Sequence, residues 1–319
     1  MVLCSPPCQS FSGSNRDVDH NSEKDLYRKG LSLKFFDAME TSGALIGVFE
    51  NVEGMWRRPN IYFLKKIVLN HIRAGYQVRV RLHRAHVFGD PQARPRLLIY
   101  AARKFVEMPN VIETHGPNKH PYMTVGNAFK ALDKVLEKIK NNPDLTPIPN
   151  LLGSNMSKPD KEEDILKLDK VSGTIRCGGR AWHPTKDRAI TVREAATLQS
   201  YPYHYEFMGS ITDQYKQVGN AVPGKMAKAV ATAIAESLRF VYDDEEESVD
   251  AANTNEEAQA STTEEESTTN APEEGMETNV GDAVDGEVGV NEEAMDQEAH
   301  EENVDSPWVL WRKPGVDVD

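Results

Sequence analysis

An abrupt change of composition at Asp243 limits where this chain can fold. From Asp243 to Asp319 there are 26 Asp or Glu residues and only two basic ones, Arg312 and Lys313. Residues 243–305 contain no Lys or Arg and are rich in Glu, Asp, Ala, Thr and Asn. Such a segment cannot bury enough apolar surface to offset the entropy of ordering it, so 243–319 is expected to be a disordered acidic tail. The foldable part is then 1–242. It holds 24 of the chain's 50 acidic residues and 35 of its 37 basic ones, a net of +11. The whole-chain charge of −13 therefore conceals a basic body. A basic body is the electrostatic footprint expected for a polyanionic partner such as nucleic acid. Within the tail, Trp308-Val309-Leu310-Trp311 is an apolar knot that could dock on a protein partner, although such a knot is more often incidental.

The three cysteines, Cys4, Cys8 and Cys177, are too few and odd in number for a disulfide framework and fit a reducing compartment. No basic stretch followed by an apolar one opens the chain, so no secretory leader is expected. No apolar run approaches the ~18 residues of a membrane span. The expectation is a soluble intracellular protein with no membrane partner.

Along the body, short apolar runs alternate with amphipathic segments. Met1–Cys4 reads as the end of a buried strand, broken by Pro6 and Pro7. Gly13 to Asp25 reads as a polar loop. Helical spacing of Leu31, Phe35, Phe36 and Met39 predicts a helix over 26–42. Ala44–Phe49 predicts a strand buried on both faces, as in a parallel sheet. A helix over 62–74 stops at Gly75, and alternation over 76–84 predicts a half-exposed strand. Leu97–Tyr100 is a further strand. Strands alternating with helices imply an α/β sheet. Residues 105–189 break the pattern, with one helix near 125–140. Thr191 with Glu194 three residues on signals a helix start, and Ala227–Phe240 predicts an Ala-rich helix that closes the body.

Four features could carry chemistry. Cys8 sits on a proline-stiffened loop at a strand end, where α/β sheets bind ligands; a buried structural thiol is the plain alternative. Cys4 and Cys8 lack the second ligand pair of a metal site. Glu50 ends a strand that should be buried. Desolvation would raise its pKa and let it hold a proton; an exposed turn acid is the alternative. Arg94 and Arg96, two apart in an extended segment, share a face and could converge on one anion or base edge. Gln217–Pro223 reads as a turn before a helix N-terminus, with Gly219 permitting the bend and Asn220 offering donors and an acceptor.

The order of these features is more specific than any one of them. Pro7-Cys8-Gln9, Glu50-Asn51-Val52, Gln92-x-Arg94-x-Arg96, Arg193-Glu194 and Gly219-Asn220-Ala221-Val222-Pro223 together resemble the DNA (cytosine-5) methyltransferase family over about residues 1–240. Ser10-Phe11-Ser12-Gly13 and Arg193–Pro202 are also similar. The resemblance implies a Rossmann-like, S-adenosylmethionine-dependent methyltransferase fold. It divides the body into a catalytic α/β part (1–104), a target-recognition region (105–189) and a return to the catalytic domain (190–242). It implies S-adenosyl-L-methionine as methyl donor, DNA as partner and no metal. By the same resemblance Cys8 is the nucleophile. Glu50 meets N3 of the cytosine, and Arg94 and Arg96 anchor the base or help place Cys8. Pro7, Asn220 and Val222 line the donor site, and Gln9 and Ser12 follow the base as it leaves the duplex.

One departure stands out. The family's opening Phe-x-Gly-x-Gly turn, and the acidic residues that hold ribose and adenine, occur neither before Cys8 nor after residue 223. The expectation is a sheet lacking its first three strands and weak donor binding by this chain alone. A truncated gene model or internal start is favoured over a missing half supplied by another chain. Two other functions fit the same residues: an RNA cytosine-5 methyltransferase, against which the Gly219–Pro223 phrase argues, and a non-catalytic interaction module. The acidic tail suggests a nuclear, epigenetic role.

Overall fold

The structure, a computed structural model, describes residues 1–12, 22–58, 60–154, 156–159, 162, 165–178, 181–239 and 241. The expected acidic tail and most of the expected 13–25 loop lie outside these residues. Among the described residues no helix is long and apolar enough to cross a membrane.

Four strands form the sheet: β1 (Val2–Cys4), β2 (Ile46–Val52), β3 (Gln77–Arg84) and β4 (Pro95–Ala102). Their order is β1-β2-β4-β3. β1 runs parallel to β2, whereas β4 runs antiparallel to both β2 and β3. The sheet is thus mixed, and the continuous apolar run of β2 reflects burial on both faces rather than an all-parallel sheet. The strand also extends three residues beyond Phe49, so Glu50 and Asn51 lie within it.

Alternation along β2 and β4 sorts side chains onto two faces. Phe49, Leu97, Ile99 and Ala101 pack on one face against Phe35 and Met39 of α2 (Lys34–Ser42) and Leu64 and Ile67 of α3 (Ile61–Arg73). Ile46, Val48, Leu98, Tyr100 and Ala102 pack on the other face against Met226, Val230 and Ile234 of a helix over 224–239. Gly47 faces α2 so closely that a Cβ there would lie 2.3 Å from Met39 Sδ, so the helix seats directly on bare backbone. By the same parity Glu50 (with 46 and 48) and Arg96 (with 98 and 100) point to the 224–239 side.

The single helix expected over 26–42 is two. A helix from Glu23 to Gly30 (α1) is followed by a 3-10 turn over Leu31–Leu33, and α2 follows. Gly30 is a poor helix former, and the Ser32 hydroxyl donates to Lys29 O at 2.6 Å, competing with the helical bond. Beyond β4 the chain is mostly irregular except for α4 (Val125–Lys140), which opens on a Thr124–Asn127 capping box. α5 (Val192–Leu198) opens on the Thr191–Glu194 capping box foreseen in the sequence. α6 spans Ile211–Asn220. α7 denotes the 224–239 helix. Val125 and Phe129 of α4 share a core with α5 and with Tyr215 and Val218 of α6, so the 105–189 excursion is packed against 190–220.

The reading of 217–223 as one turn is corrected here. Gln217–Asn220 is the last turn of α6, and the connection is only Ala221–Pro223. The pattern hid α6 because its inward face is narrow: only Tyr215, Val218 and Gly219 are buried.

Candidate active site

Three segments meet beyond the ends of β1, β2 and β4. The first is the loop after β1. Asn51, buried in β2, donates from Nδ2 to Pro6 O at 3.3 Å. Ser5 donates from Oγ to Glu50 Oε2 at 2.5 Å. Phe11 closes a turn by donating to Cys8 O at 3.0 Å and plugs its ring into the core against Phe63. Cys8 is thus held between two anchored points and is half-buried, while Pro7 and Gln9 are exposed and Ser12 is half-buried.

Burial pushes the Cys8 thiol above its ordinary value. Arg96 pulls it down, Glu50 pushes it up and Arg94 pulls it down more weakly, without reversing the effect of burial. These couplings place both guanidiniums and the carboxylate within electrostatic reach of the sulfur. Cys8 therefore rests as a thiol.

Glu50 is not the lone desolvated acid expected from the sequence. It is only 8 % exposed, but its Oε1 lies 2.7 Å from Arg96 Nε in a buried ion pair. Ser5 holds the other oxygen. The pairing follows from the sheet: β2 and β4 register Glu50 with Leu98 and Val52 with Arg96, so the two side chains are diagonal neighbours on one face.

The second segment, 90–96, corrects another expectation. Arg94 and Arg96 share a face but do not converge on one point. Arg96 pairs with Glu50, whereas Arg94 Nη1 donates to Ile175 O at 2.8 Å and Nη2 to Gly219 O at 2.5 Å. Burial, with Arg96 beside it, pulls the Arg94 guanidinium down to about 9, so it stays cationic at neutral pH. Its Nε is buried without a hydrogen-bond partner, as is Ser10 Oγ. Such orphaned donors are costly unless a ligand completes them.

The third segment joins 175–177 to the α6–α7 connection. The Cys177 thiol donates to Asn220 Oδ1 at 3.0 Å. The Cys177 backbone lies so near Gly219 that a Cβ there would sit 2.5 Å from Cys177 N, which explains why this position is a glycine. Asn220 is exposed, and Val222 is half-buried. Pro7 and Val222 sit on separate segments, the loop after β1 and the α6–α7 connection.

Nothing in the sequence marked Ser5 or Asp90, and it showed Asn51, Gln92 and Gln199 only as members of motifs and Cys177 only as a free thiol, without the bracing roles that their hydrogen bonds reveal. The buried alternation 90, 92, 94, 96 was readable as a period of two, but only its arginines attracted attention.

Comparisons with known proteins bear on this geometry. The model of the C-5 cytosine-specific DNA methylase family matches residues 1–150 and 138–236. Type II methyltransferase M.AplI of Arthrospira platensis is 31% identical over 255 residues, covering 75% of this chain and 69% of the relative. Type II methyltransferase M.MthTI of Methanothermobacter thermautotrophicus is 30% identical over 268 residues, covering 74% and 78%. In structure, a protein assigned as a DNA modification methyltransferase encoded within an E. coli prophage superposes with a TM-score of 0.55 at 20% identity, covering 74% of this chain and 78% of that one; this likeness concerns the fold. With the family model spanning the Cys8 loop, the Glu50–Arg96 pair and the α6–α7 connection alike, the chain belongs to the C-5 cytosine-specific DNA methylases and is a DNA (cytosine-5) methyltransferase.

Proposed function

We propose that the chain methylates C5 of a cytosine flipped out of DNA through a covalent bond from Cys8 Sγ to C6. The observation that carries this reading is the buried Glu50–Arg96 pair within electrostatic reach of the Cys8 thiol. C5 of cytosine is a poor nucleophile. Addition of a thiolate to C6, with a proton shared at N3, turns C5 into an enamine-like carbon able to take a methyl group. Loss of the C5 proton then restores the ring and expels the thiolate.

Each residue has a part in this scheme. Cys8 gives up its proton to solvent and adds to C6, the C5–C6 π pair moving onto the ring as the S–C6 bond forms. Glu50, on the wall beside it, meets N3. Arg96 fixes the Glu50 carboxylate and presents positive charge where a thiolate forms. Arg94 holds Gly219 and Ile175 in place and keeps one donor, Nε, for the nucleotide. Gln9, exposed, and Ser12, on the same loop, follow the base out of the stack. The 105–189 excursion meets the duplex, its Lys and Arg residues on phosphates.

S-adenosyl-L-methionine supplies an electrophilic methyl group when bound. The residues that would hold it are Pro7, exposed on the nucleophile loop, with the exposed Asn220 and the half-buried Val222 at the α6–α7 turn. The Cys177 thiol, donating to Asn220 Oδ1, helps to orient that amide. The test of the reading is covalent capture of duplex DNA containing 5-fluorocytosine at saturating donor. Cys8→Ser should give no captured complex and no methyl transfer.

A further inference from the structure

The four polar residues at 90, 92, 94 and 96 are 0 %, 0 %, 3 % and 6 % exposed. Each grips a different element. Asp90 accepts from Lys225 N at 3.1 Å and Met226 N at 2.9 Å in the first turn of α7. Arg94 grips Ile175 and Gly219, and Arg96 grips Glu50. Gln92 touches none of the groups assigned to the reaction. Its Oε1 accepts from Ile175 N at 2.7 Å, and its Nε2 donates to Gln199 Oε1 at 2.9 Å and Leu198 O at 3.3 Å.

Gln199, also 0 % exposed, continues the chain of bonds. Its Nε2 donates to Val218 O at 2.7 Å and Ala221 O at 3.4 Å, and its backbone carbonyl accepts separately from Gly224 N at 2.8 Å. The bonds run in one direction: Ile175 N–H to Gln92, Gln92 amide to Gln199, Gln199 amide to the α6–α7 connection. A primary amide can pass a buried hydrogen bond along in this way, accepting at oxygen and donating at nitrogen. Chain pairing reinforces the first link, because Ala93 N donates to Ser172 O at 2.8 Å and Ser172 N to Pro91 O at 3.0 Å.

The geometry points to Gln92 and Gln199 as positioning residues that form one relay, joining the returning edge of the 105–189 excursion to the last turn of α6, which carries Asn220, and the connection after it, which carries Val222. A shift of the 172–177 edge is transmitted through two buried amides to the donor side of the site. The relay is a buried polar network with every amide group partnered, so loss of one member leaves the next unsatisfied. Its part in methylation rests on the reading that the excursion meets DNA. The experiment below needs neither DNA nor donor, so the relay and that reading can fail separately.

The test labels the full chain with iodoacetamide and follows each cysteine by mass spectrometry. Gln92→Met and Gln199→Met keep side-chain length and remove the bonds. Each variant should label Cys177, whose thiol the relay keeps against Asn220, about ten-fold faster relative to Cys4 than the unaltered chain does, equivalent to ~1.4 kcal/mol. The double variant should show little further increase, because either substitution already breaks the relay. If Cys177 and Cys4 accelerate together, or if the two single effects multiply in the double variant, the relay is overturned. Should the variants fail to fold, amide exchange in the unaltered chain decides. The Ile175 amide, held by Gln92 Oε1, and the Gly224 amide, held by the backbone carbonyl of Gln199, should show protection within a few-fold of each other, and a difference of a hundred-fold or more contradicts a common opening.

Discussion

At the scale of single residues, the site is a set of charges that make sense only together. Removing one partner of a buried ion pair leaves the other desolvated and unpaired, at a cost of ~3–5 kcal/mol. Glu50→Ala should therefore lower unfolding stability by about that amount in denaturant titrations, with Glu50→Gln costing less because it keeps a hydrogen-bond acceptor for Arg96. Cys8 has a pH signature. Burial raises its pKa from the ordinary 9.0, and Arg96 opposes that rise. Its alkylation rate should climb with pH through an inflection above 9.0, and Arg96→Met should move that inflection higher still. A lower inflection in Arg96→Met would mean that Arg96 does not act on the thiol. The sequence made Cys8, Glu50, Arg94 and Arg96 visible as members of an ordered series. It did not show that Arg96 belongs to Glu50 while Arg94 belongs to Gly219 and Ile175. Those partnerships are set by strand register and by contacts across 81 and 125 residues of chain, which no local pattern records.

At the scale of elements, α5 shows how a local signal and a tertiary one combine. Thr191 accepts from Glu194 N, and Glu194 returns a bond to Thr191 N at 2.7 Å. Arg188 then pairs both carboxylate oxygens at 2.7 Å. Burial pushes the Glu194 carboxyl up, but Arg188 and the Thr191 N–H outweigh it and hold the group below its ordinary 4.5. A depressed carboxyl stabilises the fold above the unfolded pKa and loses that contribution as pH falls through the folded one. Stability should thus decline below about pH 4.5, and Glu194→Gln should flatten that decline, as read by thermal melts across pH 3–7. Thr191→Ala should cost ~1 kcal/mol. The capping pattern made α5 legible from sequence alone. α6 was not, because its buried face is too sparse to produce a helical period. The break between α1 and α2 was also hidden, since Leu31 and Phe35 keep helical spacing across it while Gly30 and Ser32 redirect the backbone.

At the scale of the whole molecule, two features set behaviour: a sheet covered on both faces and a chain divided by charge. The strands and the two-sided cover were foreshadowed by the apolar run of β2 and the alternation of β3. The antiparallel placement of β4 between β2 and β3 was not, because hydrophobic pattern fixes which face is buried but not which neighbour is paired. The body's net +11 should make DNA binding weaken steeply with salt, as counterion release requires. Whether the tail's 26 acidic residues compete for the same basic surface by charge alone is open to direct test. Deleting 243–319 should tighten DNA binding at low salt by several-fold, with the gain shrinking as salt rises; an unchanged affinity at low salt would dismiss the competition.

The most direct measurement of the central claim is denaturing electrophoresis of the full chain after incubation with 5-fluorocytosine duplex DNA and saturating S-adenosyl-L-methionine. The expected result is a complex that survives denaturation, maps by mass spectrometry to Cys8 and is absent from Cys8→Ala. A complex that persists in Cys8→Ala, or that maps to Cys4 or Cys177, would contradict it.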